Sequence, residues 1–175
     1  SVLQLPWFVL LGLGCGAVGA VFLKMIRQVK GHFDQVRQPI YVKMALGGLV
    51  VGLIAIEFPG VWGNGYVVTN RILQNELPLL VLGGLFFAKL LATVFTVGSG
   101  TVGGVFTPTL FLGASLGGLF GATLHVLGIA RELPTSSFAL VGMGSVLAAT
   151  TRSPFLAMIM VFEISLDYSL VPPLM

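Results

Sequence analysis

The chain has 175 residues, of which 56% are apolar and 9% charged, with a net charge of +3 and a mean hydropathy of +1.02. Soluble domains carry roughly 25% charged residues, so this chain cannot cover a water-facing surface. It is a membrane protein with no nucleic-acid partner expected, and since a crossing takes about 20 apolar residues, five or six helical segments fit.

The apolar run over residues 6–23 contains Gly12, Gly14, Gly16 and Gly19. In lipid such glycines let helices approach closely, and the run predicts a packed transmembrane helix. It has no basic region in front and no small-residue cleavage pattern behind, so no signal peptide is expected. Cys15, the single cysteine, cannot form an internal disulfide and suits a buried thiol. The helix is expected to continue through residues 24–30, where apolar residues recur at helical spacing among basic ones. A polar connection is expected from residue 32 to residue 43. Lys24, Arg27, Lys30, Arg37 and Lys43 face a single acid, Asp34, across this stretch, which by the positive-inside tendency lies on the cytoplasmic side. A solvated loop is preferred there to lipid-specific recognition.

Residues 41–58 form a second apolar segment, with Gly48 and Gly52 at small-xxx-small spacing. The following PGVWGNG, residues 59–65, is too rich in turn formers for a helix. A short helix is predicted over about Tyr66–Leu73, then a span over residues 78–97 with one charge, Lys89, well inside it. Residues 98–108, GSGTVGGVFTP, are expected to be non-helical. In the next segment, 109–126, Gly113, Gly117 and Gly121 share one face and predict intimate helix packing. Two shorter apolar segments, 135–150 and 154–165, flank a polar break at Thr151, Arg152 and Ser153. Short segments broken by glycine or proline leave peptide groups unpaired at membrane depth, which is tolerated where they line a cavity or bind something. Broken helices of this kind mark ion and substrate sites in transporters.

The sharpest candidate for such a site is Gly103-Gly104-Val105-Phe106-Thr107-Pro108, just before the glycine-striped helix. A helix start offers unpaired N–H groups and the positive end of the peptide dipoles, so backbone alone can hold an anion. The glycines admit close approach, and Pro108 fits a first turn that needs no N–H. A loop that merely re-enters the membrane accounts for the same spacing. Lys89 should face protein or water, because a charge in mid-span costs at least ~2.5 kcal/mol on insertion scales. It either lends positive potential to an anion path or is paired with a carboxylate or snorkelling. For Glu163, near the end of an apolar segment, a structural hydrogen bond is preferred to a proton relay. Tyr168 reads as an interfacial anchor. The six acids are scattered, the histidines are only His32 and His125, and no zinc-like or nucleophile–base spacing appears. GSGTVGG lacks the Gly-Lys-Ser/Thr ending of a phosphate loop. No enzyme, metal or cofactor is expected. A membrane scaffold in which the glycine loops only pack remains a different class of reading, and a membrane enzyme a weaker third.

GSGTVGGVFTPTLFLGASLGGLFG, residues 98–121, resembles the GxFxP signature of the ClC chloride channel and transporter family and the helix after it. ALVGMGSVLAATTRSP, 139–154, with MIMVFEISLDYSLVPP, 158–173, resembles the family's GMG, LAA and R-x-P segment and its Glu-ending helix. VWGNGY, 61–66, is most similar to the bacterial voltage-gated branch. The resemblance implies an all-α, multi-pass fold of short and broken helices, here the second of two inverted repeats, with residues 1–175 a partial transmembrane domain. It implies movement of chloride or similar anions, as a voltage-gated channel or chloride/proton antiporter, in a bacterial inner membrane. It places the anion on the backbone N–H groups of Val105 and Phe106 beside Gly104, and matches Lys89 to a basic residue of the preceding helix. Chloride is then the one ligand, and homodimers form partly through 154–165 and 170–175. The family's GSGIP-like loop, its GREGP-like loop with the gating glutamate, and the final helix with its inner tyrosine are expected in an N-terminal half and a C-terminal extension outside this sequence. Tyr168 lies too early to be that tyrosine.

Overall fold

The computed structural model describes residues 5–74, 76–129 and 133–165. Among these residues lie seven α-helices and no strand: α1 (Leu5–Gln35), α2 (Ile40–Glu57), α3 (Tyr66–Leu73), α4 (Leu79–Gly98), α5 (Phe106–Val126), α6 (Thr135–Thr151) and α7 (Pro154–Ser165). The count exceeds the expected five or six because short helices need not cross. Four helices, α1, α2, α4 and α5, are long and apolar enough to span a bilayer.

The connection expected over 32–43 shrinks to residues 36–39. Polarity misled there, because Lys, Arg and Gln are good helix formers, and α1 runs on through Gln35 with the His32 ring bonded to the Gln28 carbonyl at 2.7 Å. Pro39, extended at φ −61° and ψ 153°, sets the start of α2, so Lys43 is helical. The 98–108 stretch is likewise helical from Phe106, and only residues 99–105 are irregular. Residues 59–65 begin with a single 3₁₀ turn, Pro59–Val61, and then use left-handed Gly63 and Gly65 to turn back.

α5 and α6 form the tightest pair. A Cβ added at Gly113 would strike the Gly142 carbonyl, and one at Gly117 the Phe138 carbonyl, so the two backbones touch without side chains between them. At Gly121 the added carbon would fall 2.8 Å from the Phe138 ring. The predicted glycine face is therefore an interface. Phe138 in turn stacks on Phe8 of α1 at 5.0 Å between centroids and meets Phe120 edge-on at 5.8 Å, which ties α1 to the α5–α6 pair in one core with Leu11, Phe22 and Leu112.

The glycines of α1 and α2 behave differently. Gly12, Gly14, Gly16, Gly48 and Gly52 have open space where a Cβ would stand. Close approach falls to Gly19, against Ala149, and to Gly47, against Ser99. The small-xxx-small spacing of Gly48 and Gly52 thus lines an opening and packs no helix.

Candidate functional site

α4 ends at Gly98, and the chain turns through Ser99, whose hydroxyl donates to the Thr96 carbonyl at 3.0 Å and lies 3.0 Å from Thr101 Oγ1. Gly100 is left-handed at φ +85°, which only glycine adopts without strain. The chain then reaches α5 through Gly103, Gly104 and Val105. Val105 precedes the helix at φ −88° and ψ −12°, and no side chain caps it. The N–H groups of Phe106 and Thr107 have no carbonyl four residues earlier within the helix to bond, while Pro108, third in the helix, has no N–H to leave unpaired. A Cβ added at Gly104 would meet nothing, and at Gly103 only Thr96 Cγ2 at 3.6 Å. The approach to this helix start is bare backbone.

That approach opens into a cavity of about 680 Å³ between α2, α4 and the 59–65 turn, with Lys89, Thr93, Gly103, Gly104, Thr107 and Pro108 in its wall. Five of the residues singled out in the sequence therefore converge on one space. Val105 and Phe106 do not line it. The Val105 side chain is exposed, and that of Phe106 packs against the core cluster around Ile72 and Leu110. Only their peptide groups are available to a ligand at the helix start. Among the described residues no Asp or Glu lines the cavity.

Lys89 is buried at 4% exposure in mid-α4, and its ammonium donates to the carbonyls of Val61 at 2.9 Å and Gly63 at 2.8 Å. It also stands 5.6 Å from the centre of the Phe111 ring, a cation–π distance. It neither snorkels nor pairs with a carboxylate: among the described residues the one ion pair is Arg71–Glu76, at the surface. Two of its three donors are used, and both acceptors are uncharged, so the positive charge stays in the cavity wall.

Sequence reasoning missed those two carbonyls, which carry no side-chain signature. The available signal was indirect: a mid-span lysine needs acceptors, and the glycines at 63 and 65 mark backbone bent sharply enough to supply them. Thr93 and Thr96 were also missed. Their hydroxyls donate to the carbonyls of Lys89 at 2.8 Å and Ala92 at 2.7 Å, leaving lone pairs, not hydrogens, free. Thr107, shared with a second cavity of about 480 Å³ beside α3, makes no side-chain hydrogen bond among the described residues. Glu163 is exposed, and its side chain makes no hydrogen bond among the described residues. His125 bonds the Leu133 carbonyl at 2.7 Å and joins the α5 end to the α6 start. Asp167, Tyr168 and the segment 170–175 lie outside the described residues. No group of potential metal ligands assembles among those described.

The family model described as voltage gated chloride channel matches residues 1–175. A putative chloride channel protein ClcB-like from Ralstonia nicotianae is 45% identical over 94% of this chain and 38% of its own length. Voltage-gated ClC-type chloride channels ClcB from Escherichia coli and Citrobacter koseri are 37% and 38% identical over 94% of this chain and 39% of theirs. The chain thus spans about two-fifths of the length of these relatives.

Proposed function

This chain belongs to the voltage-gated, ClC-type chloride channel family, and on that footing we propose that it is part of a protein moving chloride or similar anions across a bacterial cell membrane. The observation that carries this is the uncapped start of α5, fronted by Gly103 and Gly104, beside a cavity whose wall holds the Lys89 side chain and no carboxylate among the described residues. An anion there accepts from the N–H groups of Val105 and Phe106 and gains from the positive end of the α5 dipoles. Gly104 leaves the backbone approachable, Gly103, Thr107 and Pro108 shape the approach, and Lys89 raises the potential. Chloride is the ligand, and the site requires no other cofactor.

The same site serves a channel or a chloride/proton antiporter, since the acidic groups that separate them belong to the N-terminal half of the fold. That half completes the ring of helix ends around the anion, and a homodimer forms through the α7 region and residues 170–175.

An amide-to-ester replacement at Phe106 in the full-length protein tests the backbone assignment, because it removes one N–H and keeps the side chain. Chloride affinity by calorimetry should weaken by about 1–3 kcal/mol, the worth of one charge-assisted hydrogen bond. Phe106→Leu should change it little. The reverse ranking would assign the anion to the side chain and overturn the proposal.

A further inference from the structure

The 59–65 turn is one wall of the cavity. Val61, Trp62, Gly63 and Asn64 line it, yet the turn has little structure of its own beyond one 3₁₀ turn and the bond from the Tyr66 N–H to Asn64 Oδ1 at 3.3 Å. Its hydrogen bonding to α4 runs through Lys89, by the two carbonyl bonds at 2.9 and 2.8 Å. The fit around that attachment is close. Gly63 and Gly65 adopt φ +64° and +82°, which carries the Gly63 carbonyl toward the ammonium. A Cβ at Gly65 would lie 2.8 Å from the Phe111 ring and 3.7 Å from Lys89 Cε, so the turn is seated on the lysine stem and the ring together. Val61 is 4% exposed, packed with Leu85, Ala88, Ala92 and Phe111.

From this we infer that Lys89 is a positioning residue: it clamps the 59–65 turn onto α4 and thereby fixes the width of the cavity at the start of α5. A lysine acting only through its charge requires a position near the path and no particular acceptors. Here two of three donors are committed to one turn, and both acceptors are peptide carbonyls that would lose this partner if the ammonium were removed. The clamp lets a single cation hold the wall and still present its charge to the space the wall encloses. That its width matters to an anion rests on the function proposed above; that Lys89 holds the turn does not.

A thiol placed at the buried end of the turn reports the clamp directly. In full-length protein carrying Val61→Cys, modification of the introduced thiol by a small maleimide, quantified on the peptide by mass spectrometry, should be at least tenfold faster with Lys89→Met than with Lys89. Lys89→Arg, which keeps charge and donors, should restore slow labelling to within threefold. A second arm leaves Lys89 untouched: an amide-to-ester replacement at Asn64 turns the Gly63 carbonyl into a weaker acceptor and should raise the rate severalfold. Equal rates for Lys89 and Lys89→Met overturn the clamp. So does an unchanged rate in the ester variant, which decides the matter alone if Lys89→Met does not yield folded protein. Failure of the anion assignment would appear elsewhere, as calorimetry without chloride binding while the labelling rates still differ.

Discussion

Lys89 shows how a residue can be structural and electrostatic at once. Placing an ammonium in an apolar helix costs at least ~2.5 kcal/mol on insertion scales, and the carbonyls of Val61 and Gly63 offset that cost by hydrogen bonding. Because amide carbonyls carry no formal charge, they leave the lysine's field intact, whereas a carboxylate partner would have cancelled it. The field reaches a half-open cavity walled by apolar helices, where, on the function proposed above, it concentrates anions. Lys89→Glu in the complete protein should therefore lower chloride flux into liposomes by about tenfold or more, the lower end of such steering effects. Lys89→Arg should lower it much less, and the difference should narrow as salt is raised. Flux and salt dependence unchanged in both variants would make the lysine structural alone. The lysine was legible in the sequence as an energetic anomaly. Its partners were not, because a backbone carbonyl is the same group at every position and only the folded turn decides which carbonyls face inward.

At the scale of elements, what could be read was what depends on local pattern. The spans of α4 and α5, the short α3 and the break between α6 and α7 follow from apolar length and from Gly, Pro and Arg-Ser punctuation. The glycine stripe of α5 was legible as an interface for the same reason. Glycine spacing alone, however, does not say what stands opposite: Gly113 and Gly117 meet the backbone of α6, while Gly48 and Gly52 face an opening. This difference can be measured. A methyl at Gly117 would be driven into the Phe138 carbonyl, where no side chain can rotate away, so α5 and α6 must separate. Gly117→Ala should cost about 1–3 kcal/mol, the usual penalty of overpacking, and should lower the thermal midpoint of the full-length protein in detergent by several degrees. Gly12→Ala, on a face of α1 where Val9 and Leu13 are 62% and 70% exposed, should leave it unchanged. Equal midpoints for the two variants would mean that α5 and α6 are not in backbone contact. The helix ends were the least legible feature, since polar residues such as His32 and Gln35 are compatible with both helix and loop, and the decision falls to Pro39.

Across the molecule, burial is uneven in a way that bears on the proposed transport. Half or more of the apolar windows of α4 and α5 is buried, 50% and 61%, against 22% for α1 and 11% for α2. On α2 the exposed Leu46, Leu49, Leu53 and Ile56 follow helical spacing along one face, and lipid satisfies such a stripe without a protein partner. The cavity beside α2 is another matter. Its wall carries the Lys89 ammonium and leads to the unpaired N–H groups at the start of α5, and hydrocarbon cannot satisfy those groups, at a cost of several kcal/mol each. In a bilayer this face requires further protein or water against it, and a site lined on one side only cannot both strip an anion of its hydration and exclude lipid. Residues 1–175 reconstituted alone into liposomes should therefore give chloride flux no higher than protein-free vesicles. The full-length protein should give selective flux under the same gradient. Co-reconstitution with the proposed N-terminal half should recover part of it, because on the proposed function that half supplies the other helix ends in trans. Robust, chloride-selective flux through residues 1–175 alone would show that this set of helices closes its own path, and the half-site account of the cavity would have to be abandoned.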